Sequence, residues 1–311
     1  MCVAPDVADA LKPALEEGGY PLTPEGCKQF LRDWAKTMNP LYLMASTPAG
    51  FCYGEDDFAT SQKGWLACCA PSQQFLLEQP GAKVDIEILG PRPKRAKIGP
   101  PPPTDGTWEP QGDDLITMIL MPLAEELNLP IAMKFGAMRG VNPSLRTGQD
   151  GVDPSLNNVS SLRRLCLDYP KVKFCATFLS RDNQHEATVL ANKFSNLHLY
   201  GCWWFCNNPS IIQEMTAQRL EILGTEFTCQ HSDARVLDQL LYKWNHSRTV
   251  VGTVLVEKYK DLINAGWSLT NEEVVRDVEK LFGGSFEAFC AKDSSGFEWT
   301  SKVVTLSALG K

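Results

Sequence analysis

Five short apolar runs rich in strand formers punctuate the chain: "LYLMAS" (41–46), "IAMKFGA" (131–137), "VKFCATFL" (172–179), "LHLYGCWWF" (197–205) and "EFTCQ" (226–230). Each follows a stretch with helical spacing of apolar residues. "TPEGCKQFLRDWAKTM" precedes the first run, "DDLITMILMPLAEELN" the second and "NNVSSLRRLCLDY" the third. "NQHEATVLANKF" precedes the fourth and "NPSIIQEMTAQRLEIL" the fifth. From the second run onward the spacing is 25 to 41 residues, which suits βα units. Runs such as "VKFCATFL" do not alternate, as expected of parallel strands buried on both faces. Pro122 should kink the second helix or mark its late start. After the fifth run the pattern is helical throughout. "TNEEVVRDVEKLFGG" opens on Thr270 with Glu273 three residues on, a capping box.

These elements predict an α/β chain with at least five parallel strands, either an open doubly wound sheet or a (β/α)8 barrel. No glycine-rich phosphate loop follows any run, so nothing points to a nucleotide site. The polar clusters lie just past the C-terminal ends of the runs, where barrel enzymes keep their chemistry.

Pro91 to Gly112 breaks the pattern, with seven prolines in 22 residues. It reads as an exposed insertion or linker. Its "RPKRAK" is either a solvated charge cluster or a nuclear-localisation patch. In the same region only "KVDIEIL" alternates like a strand. The implied division is 1–54 as an N-terminal helix and first strand, 55–112 as an irregular insertion, 113–289 as the βα units and C-terminal helices, and 290–311 as a tail.

Bulk composition narrows the function classes. The 311 residues are 43% hydrophobic and 22% charged, as in a globular protein, and the net charge of −7 disfavours nucleic acid as the main partner. No apolar run approaches the ~18 residues of a membrane span. The N-terminus lacks a secretory pattern. The eleven cysteines make no C-x-x-C pair and are expected as reduced thiols, so the expected location is the cytoplasm.

The strand ends carry the candidate chemistry. Lys134 sits inside the second run, where a lysine is costly unless paired or at a mouth, and Arg139 lies just past it. After the third run Arg181, Asp182, Asn183 and His185 could meet a polar substrate, or Asp182 or Asn183 could cap the next helix. Trp203 and Trp204 should point to opposite faces of a strand, one as core and one as a substrate wall. On an extended segment His231, Asp233 and Arg235 share a face. A carboxylate beside a guanidinium stays anionic, which suits a metal ligand or a metal-assisted base. A buried ion pair with a helix cap is the simpler alternative.

Four stretches in this order resemble the uronate isomerase family of the amidohydrolase superfamily. "FGAMRGVNPSL" is similar to the family's Gly-Ala-Leu-Arg-Asn stretch on strand five, and "SRDN" to its Arg-Asp-Asn stretch after strand six. "GCWWFCNN" resembles Gly-x-Trp-Trp-Phe on strand seven, and "HSDAR" resembles Asp-x-Arg on strand eight. The resemblance runs from about Thr23 to Phe289. It implies a partial (β/α)8 barrel, about strands four to eight, and interconversion of D-glucuronate or D-galacturonate with D-fructuronate or D-tagaturonate. It further implies a divalent metal, usually zinc, with Asp233 as ligand and proton carrier and Arg235 steadying the enediolate or the substrate. Arg139 would bind the uronate, and Trp203 or Trp204 would form a wall. Lys134, Arg181 and His231 complete the expected substrate site. The expected partner is a small uronate, with homo-oligomer assembly left open. The family's strand-one His-x-His is absent, and Lys134 stands where the family has a histidine. The sequence has four histidines: His185, His198, His231 and His246. The chain is therefore expected to lack strands one to three, as a fragment or with the 51–112 region or a partner chain covering the gap. An inactive sugar-acid-binding homologue and an amidohydrolase-type hydrolase remain as alternative readings.

Overall fold

The computed structural model describes residues 2–3, 8–47, 49, 51–53, 115–145, 148–231, 233–234 and 236–291, the first six of them (2–3 and 8–11) in backbone only. The Pro-rich segment, "KVDIEIL", "RPKRAK" and the 292–311 tail lie outside the described residues, as does Arg235.

The helices form where the apolar spacing puts them. Helix α1 spans Ala8–Glu17 and α2 spans Pro24–Met38. Thr23 caps α2 by accepting from Gly26 N, and Asn39 closes it in the left-handed region. A π-helical turn, Leu115–Leu120, leads into α3, Met121–Leu127. Pro122 thus falls at the start of regular α-helix, where its missing N–H costs nothing. Then follow α4 (Asn157–Asp168), α5 (Gln184–Lys193) and α6 (Pro209–Leu223), the last capped by the Asn208 side chain on Ile211 N. A single helix α7 runs from Leu237 to Asn264. Helix α8 (Asn271–Glu279) carries the expected capping box, and a π turn joins it to α9 (Ser285–Ala291). Asn183 stands at the start of α5 but its side chain caps nothing there. Its amide donates instead to the carbonyls of Pro154 and Ser155.

The main sheet has five parallel strands: β1 (Cys2–Val3), β2 (Leu43–Ser46), β3 (Ile131–Phe135), β6 (Phe174–Phe178) and β7 (Leu197–Leu199). They lie side by side in chain order, and all neighbours are parallel. A doubly wound sheet would reverse order partway, and this one does not. The fifth apolar run gives no full strand. Thr228 alone makes a parallel bridge to Tyr200 beyond the end of β7. A fifth strand comes from Cys2–Val3 instead, too short for its pattern to register in the sequence. The described strands form an open five-stranded sheet and do not close into a barrel.

The two faces of the sheet differ. Leu43, Ala45, Ile131, Met133, Phe135, Phe174, Ala176, Phe178, Leu197 and Leu199 join the main core with residues of the crossover helices, such as Ile119, Leu162 and Ile212. The alternate residues, among them Ala132, Cys175 and Tyr200, form a second cluster with Phe289 of α9. His198 stacks on Phe289, with ring centroids 5.1 Å apart. Lys173, buried ahead of β6, donates to the Cys290 carbonyl at 2.7 Å. Helix α9 therefore caps the face opposite the crossover helices, and the C-terminal edge of the same face carries the polar groups described below. A small hairpin, β4 (Ala137–Met138) with β5 (Gly151–Val152), leaves the end of β3. No described helix is long and apolar enough to cross a membrane, and the eight cysteines with described side chains are free.

Candidate active site

Register brings Lys134 between Ser46 of β2 and Thr177 of β6, one residue from the C-terminal end of β3. Its side chain is 13% exposed, so the ammonium needs a partner. The partner is Asp233, 99 residues further along, with Nζ donating to Oδ1 at 2.5 Å. The ammonium also lies 5.0 Å from the Trp203 ring centroid, a cation–π contact. His231 completes the group. Its ring centroid is 4.9 Å from that of Tyr200 and 6.5 Å from that of Trp203. Lys243, on the first turns of α7, donates to the Asp233 carbonyl at 3.4 Å.

Backbone conformation sets these positions. Among the described residues four non-glycines have positive φ. Asn39 and Asn128 close helices, a role asparagine tolerates, whereas Trp204 (φ 46°) and Asp233 (φ 42°) lie at this site. Such conformations cost about 1–3 kcal/mol and persist where surrounding structure enforces them. They also correct two expectations. Asp233 is not on an extended segment, so it meets the site through its left-handed turn rather than through shared parity with His231. The two tryptophans are not on a strand. Tyr200 and Gly201 follow the end of β7, and Trp204–Cys206 is a 3-10 turn. Trp203 is buried against Lys134, while Trp204 is half-buried at the rim. Gly201 has φ 66°, and a Cβ there would stand 2.0 Å from His231 Cδ2, so no other residue fits beside that imidazole.

Buried polar side chains hold the loop. Gln230 accepts from Cys202 N at 3.1 Å and donates to Asn207 Oδ1 at 3.2 Å. Arg219 of α6, 1% exposed, donates to the Gly201 carbonyl at 3.2 Å and to Gln184 Oε1 at 3.0 Å. Lys243, Gly201, Gln230 and Arg219 were not expected at the site. Their signals in sequence are those of ordinary helix, turn and strand residues.

Arg139 and Arg181 part company. Arg139 leaves the hairpin exposed, bonds Asp150 and lies 5.8 Å over the Trp204 ring, at the rim. Arg181 makes a two-pronged ion pair with Glu214 of α6, both bonds at 2.8 Å. The Arg181 side chain is otherwise largely exposed.

Charge follows from the packing. Burial pushes the Asp233 carboxyl up, but the hydrogen bond and charge of Lys134 outweigh it, and the net shift is downward. His231 is lowered to about 3, first by burial and then by the Lys134 charge, so its imidazole is neutral. Its Nε2 and the Trp203 Nε1 are enclosed without a hydrogen-bond partner.

A zinc site needs three or four N, S or O ligands at about 2.0–2.3 Å. No described group of three His, Cys, Asp or Glu residues could hold a metal. Asp233 and His231 offer two donors, and the carboxylate already takes the Lys134 ammonium. These residues do not fit the zinc that the family resemblance implies.

No protein-family model matches the chain, and no curated protein matches it. Solved structures do. The uronate isomerase of Bacillus halodurans C-125 superposes with a TM-score of 0.71 at 34% identity, covering 94% of this chain and 60% of that one. The uronate isomerase of Thermotoga maritima superposes with a TM-score of 0.60 over 91% of this chain and 57% of that one. At 15% identity the second likeness is one of fold. The chain spans about 60% of the length of these enzymes. In fold and in sequence the chain resembles the uronate isomerases.

Proposed function

We propose that the chain is a uronate-isomerase-like protein and that β2, β3, β6 and β7 are strands four to seven of a (β/α)8 barrel, with Thr228 at the place of strand eight and β1 beside strand four. It would act on D-glucuronate or D-galacturonate, giving D-fructuronate or D-tagaturonate. The net change moves hydrogen from C2 to C1 and from O2 to O1 of the open-chain aldose. Asp233, anionic at neutral pH, takes the C2 proton and returns it to C1. Trp203 walls the pocket. Arg139, on the rim, grips the uronate carboxylate, a planar anion suited to a guanidinium. Arg235 steadies the enediolate, by the family resemblance alone. No step is routed through a metal.

The observation that carries this reading is the convergence of Lys134, Asp233, His231 and Trp203, from distant segments, at the C-terminal edge of a parallel sheet. Active sites of barrel enzymes lie at that edge. The test is deuterium exchange at C2 of D-glucuronate in heavy water, followed by NMR together with appearance of D-fructuronate. Wild type should exchange the proton and Asp233→Asn should lose the activity at least a hundredfold while keeping its circular dichroism. Saturable D-glucuronate binding with no exchange would turn the assignment into a binding protein, and absence of both would remove it.

A further inference from the structure

We infer that Lys134 is the resident cation of the Asp233 site. The ammonium holds the position of a bound divalent ion and meets an anionic sugar acid as a fixed charge of the chain. This rests on the uronate reading for the identity of the anion and goes beyond it in how the negative charge is met.

Lys134 is set on a strand, in register between Ser46 and Thr177, and not on a loop that could swing away. Its ammonium is fixed from two sides, by Asp233 Oδ1 at 2.5 Å and by the Trp203 face at 5.0 Å. One of its three N–H donors goes to Asp233. An ammonium has no acceptor lone pair, so its other donors can only meet electron-rich groups. A cation ligated by Asp233 would need a carboxylate oxygen at about 2 Å. It would share that carboxylate with an ammonium of the same sign. Among the described residues the His231 Nε2 is the further candidate donor, and no described group reaches the three ligands a metal needs. Lys243 donates to the Asp233 carbonyl, which puts a second ammonium at the same turn. At this site the Lys134 ammonium attracts an anion and repels a further cation.

The experiment uses the full 311-residue chain and two probes, zinc ion and D-glucuronate. Zinc affinity is measured by competition with a chromogenic chelator. Wild type should hold no stoichiometric zinc, and Lys134→Met should bind zinc at least tenfold more tightly than wild type. Tryptophan fluorescence then follows D-glucuronate in chelator-treated buffer. Wild type should bind with or without chelator within a factor of two, and Lys134→Met should bind at least tenfold more weakly. Unchanged melting of Lys134→Met by circular dichroism separates these effects from misfolding. Lys134→Arg, which keeps the charge, should recover part of the binding. One zinc per chain in wild type, or equal zinc affinity in Lys134→Met, would overturn the inference. Loss of all D-glucuronate binding in wild type would remove the uronate reading instead, and the zinc comparison would still decide whether Lys134 holds the cation position.

Discussion

His231 is an imidazole that the fold keeps neutral, and this has a measurable consequence. Its folded pKa of about 3 lies below the ordinary 6.5. Between those values the unfolded chain takes up a proton that the folded chain refuses. The stability from this residue is therefore whole above pH 6.5 and drains away as pH falls towards 3. Urea unfolding of wild type should show about 2 kcal/mol less stability at pH 5 than at pH 7 from this group. His231→Gln should flatten that slope, and an equal slope in the variant would show that the imidazole is already free to protonate. Asp233 does not confuse the window. Its folded pKa lies below 3.8, so its own contribution is lost only at lower pH. At this scale the sequence exposes residue types and spacing. Lys134 stands out as a charge in an apolar run, and "HSDAR" as a polar cluster. It does not expose that Lys134 meets Asp233, because the pairing depends on a backbone turn at φ 42°. Nor does it expose that Arg181 is taken by Glu214, which needs two elements docked side by side.

Helices α2, α5 and α6 begin within a residue of where their patterns do, because apolar spacing and caps are local properties. Helix α8 illustrates the point. Thr270 and Glu273 bond each other's backbone amides, yet α8 buries no residue, so its order depends on local bonds. Thr270→Ala should cost about 1 kcal/mol locally. Hydrogen exchange across 270–279 should speed up about fivefold, with little change in the strands. An unaffected exchange rate would mean that contacts of α8 with its neighbours, not the cap, hold its first turn. Strands are less legible in the sequence. The run 197–205 looks like one strand, but β7 stops at Leu199 and Gly201 turns the chain. The run 226–230 contributes one bridge residue. A strand exists only by its partner, and the ladder at that edge is short. Apolar composition there reports burial rather than pairing.

At the scale of the molecule, the described residues leave an apolar stripe of α7 exposed. Leu237 and Leu241 are 80% and 76% exposed, beside a groove of about 800 Å³ lined by Leu240, Trp244, Leu255, Val278 and Phe282. Patches of this kind bind apolar probes. The native chain should enhance the fluorescence of 1-anilinonaphthalene-8-sulfonate. Leu241→Lys should at least halve the enhancement with a melting temperature within about 2 °C of wild type, since so exposed a residue adds little to the core. An undiminished signal would place the dye elsewhere. The sequence by itself determined the α/β class, most helix positions, the parallel character of the strands and the family likeness, because each follows from local periodicity or from short motifs. Tertiary structure alone decided which face of the sheet meets the crossover helices and which meets α9 and carries the polar groups at its C-terminal edge. It also decided which cations reach Asp233, and that its carboxylate is matched by an ammonium. Those outcomes depend on register between strands and on loops from residues about a hundred positions apart. No local pattern encodes distances across such a gap.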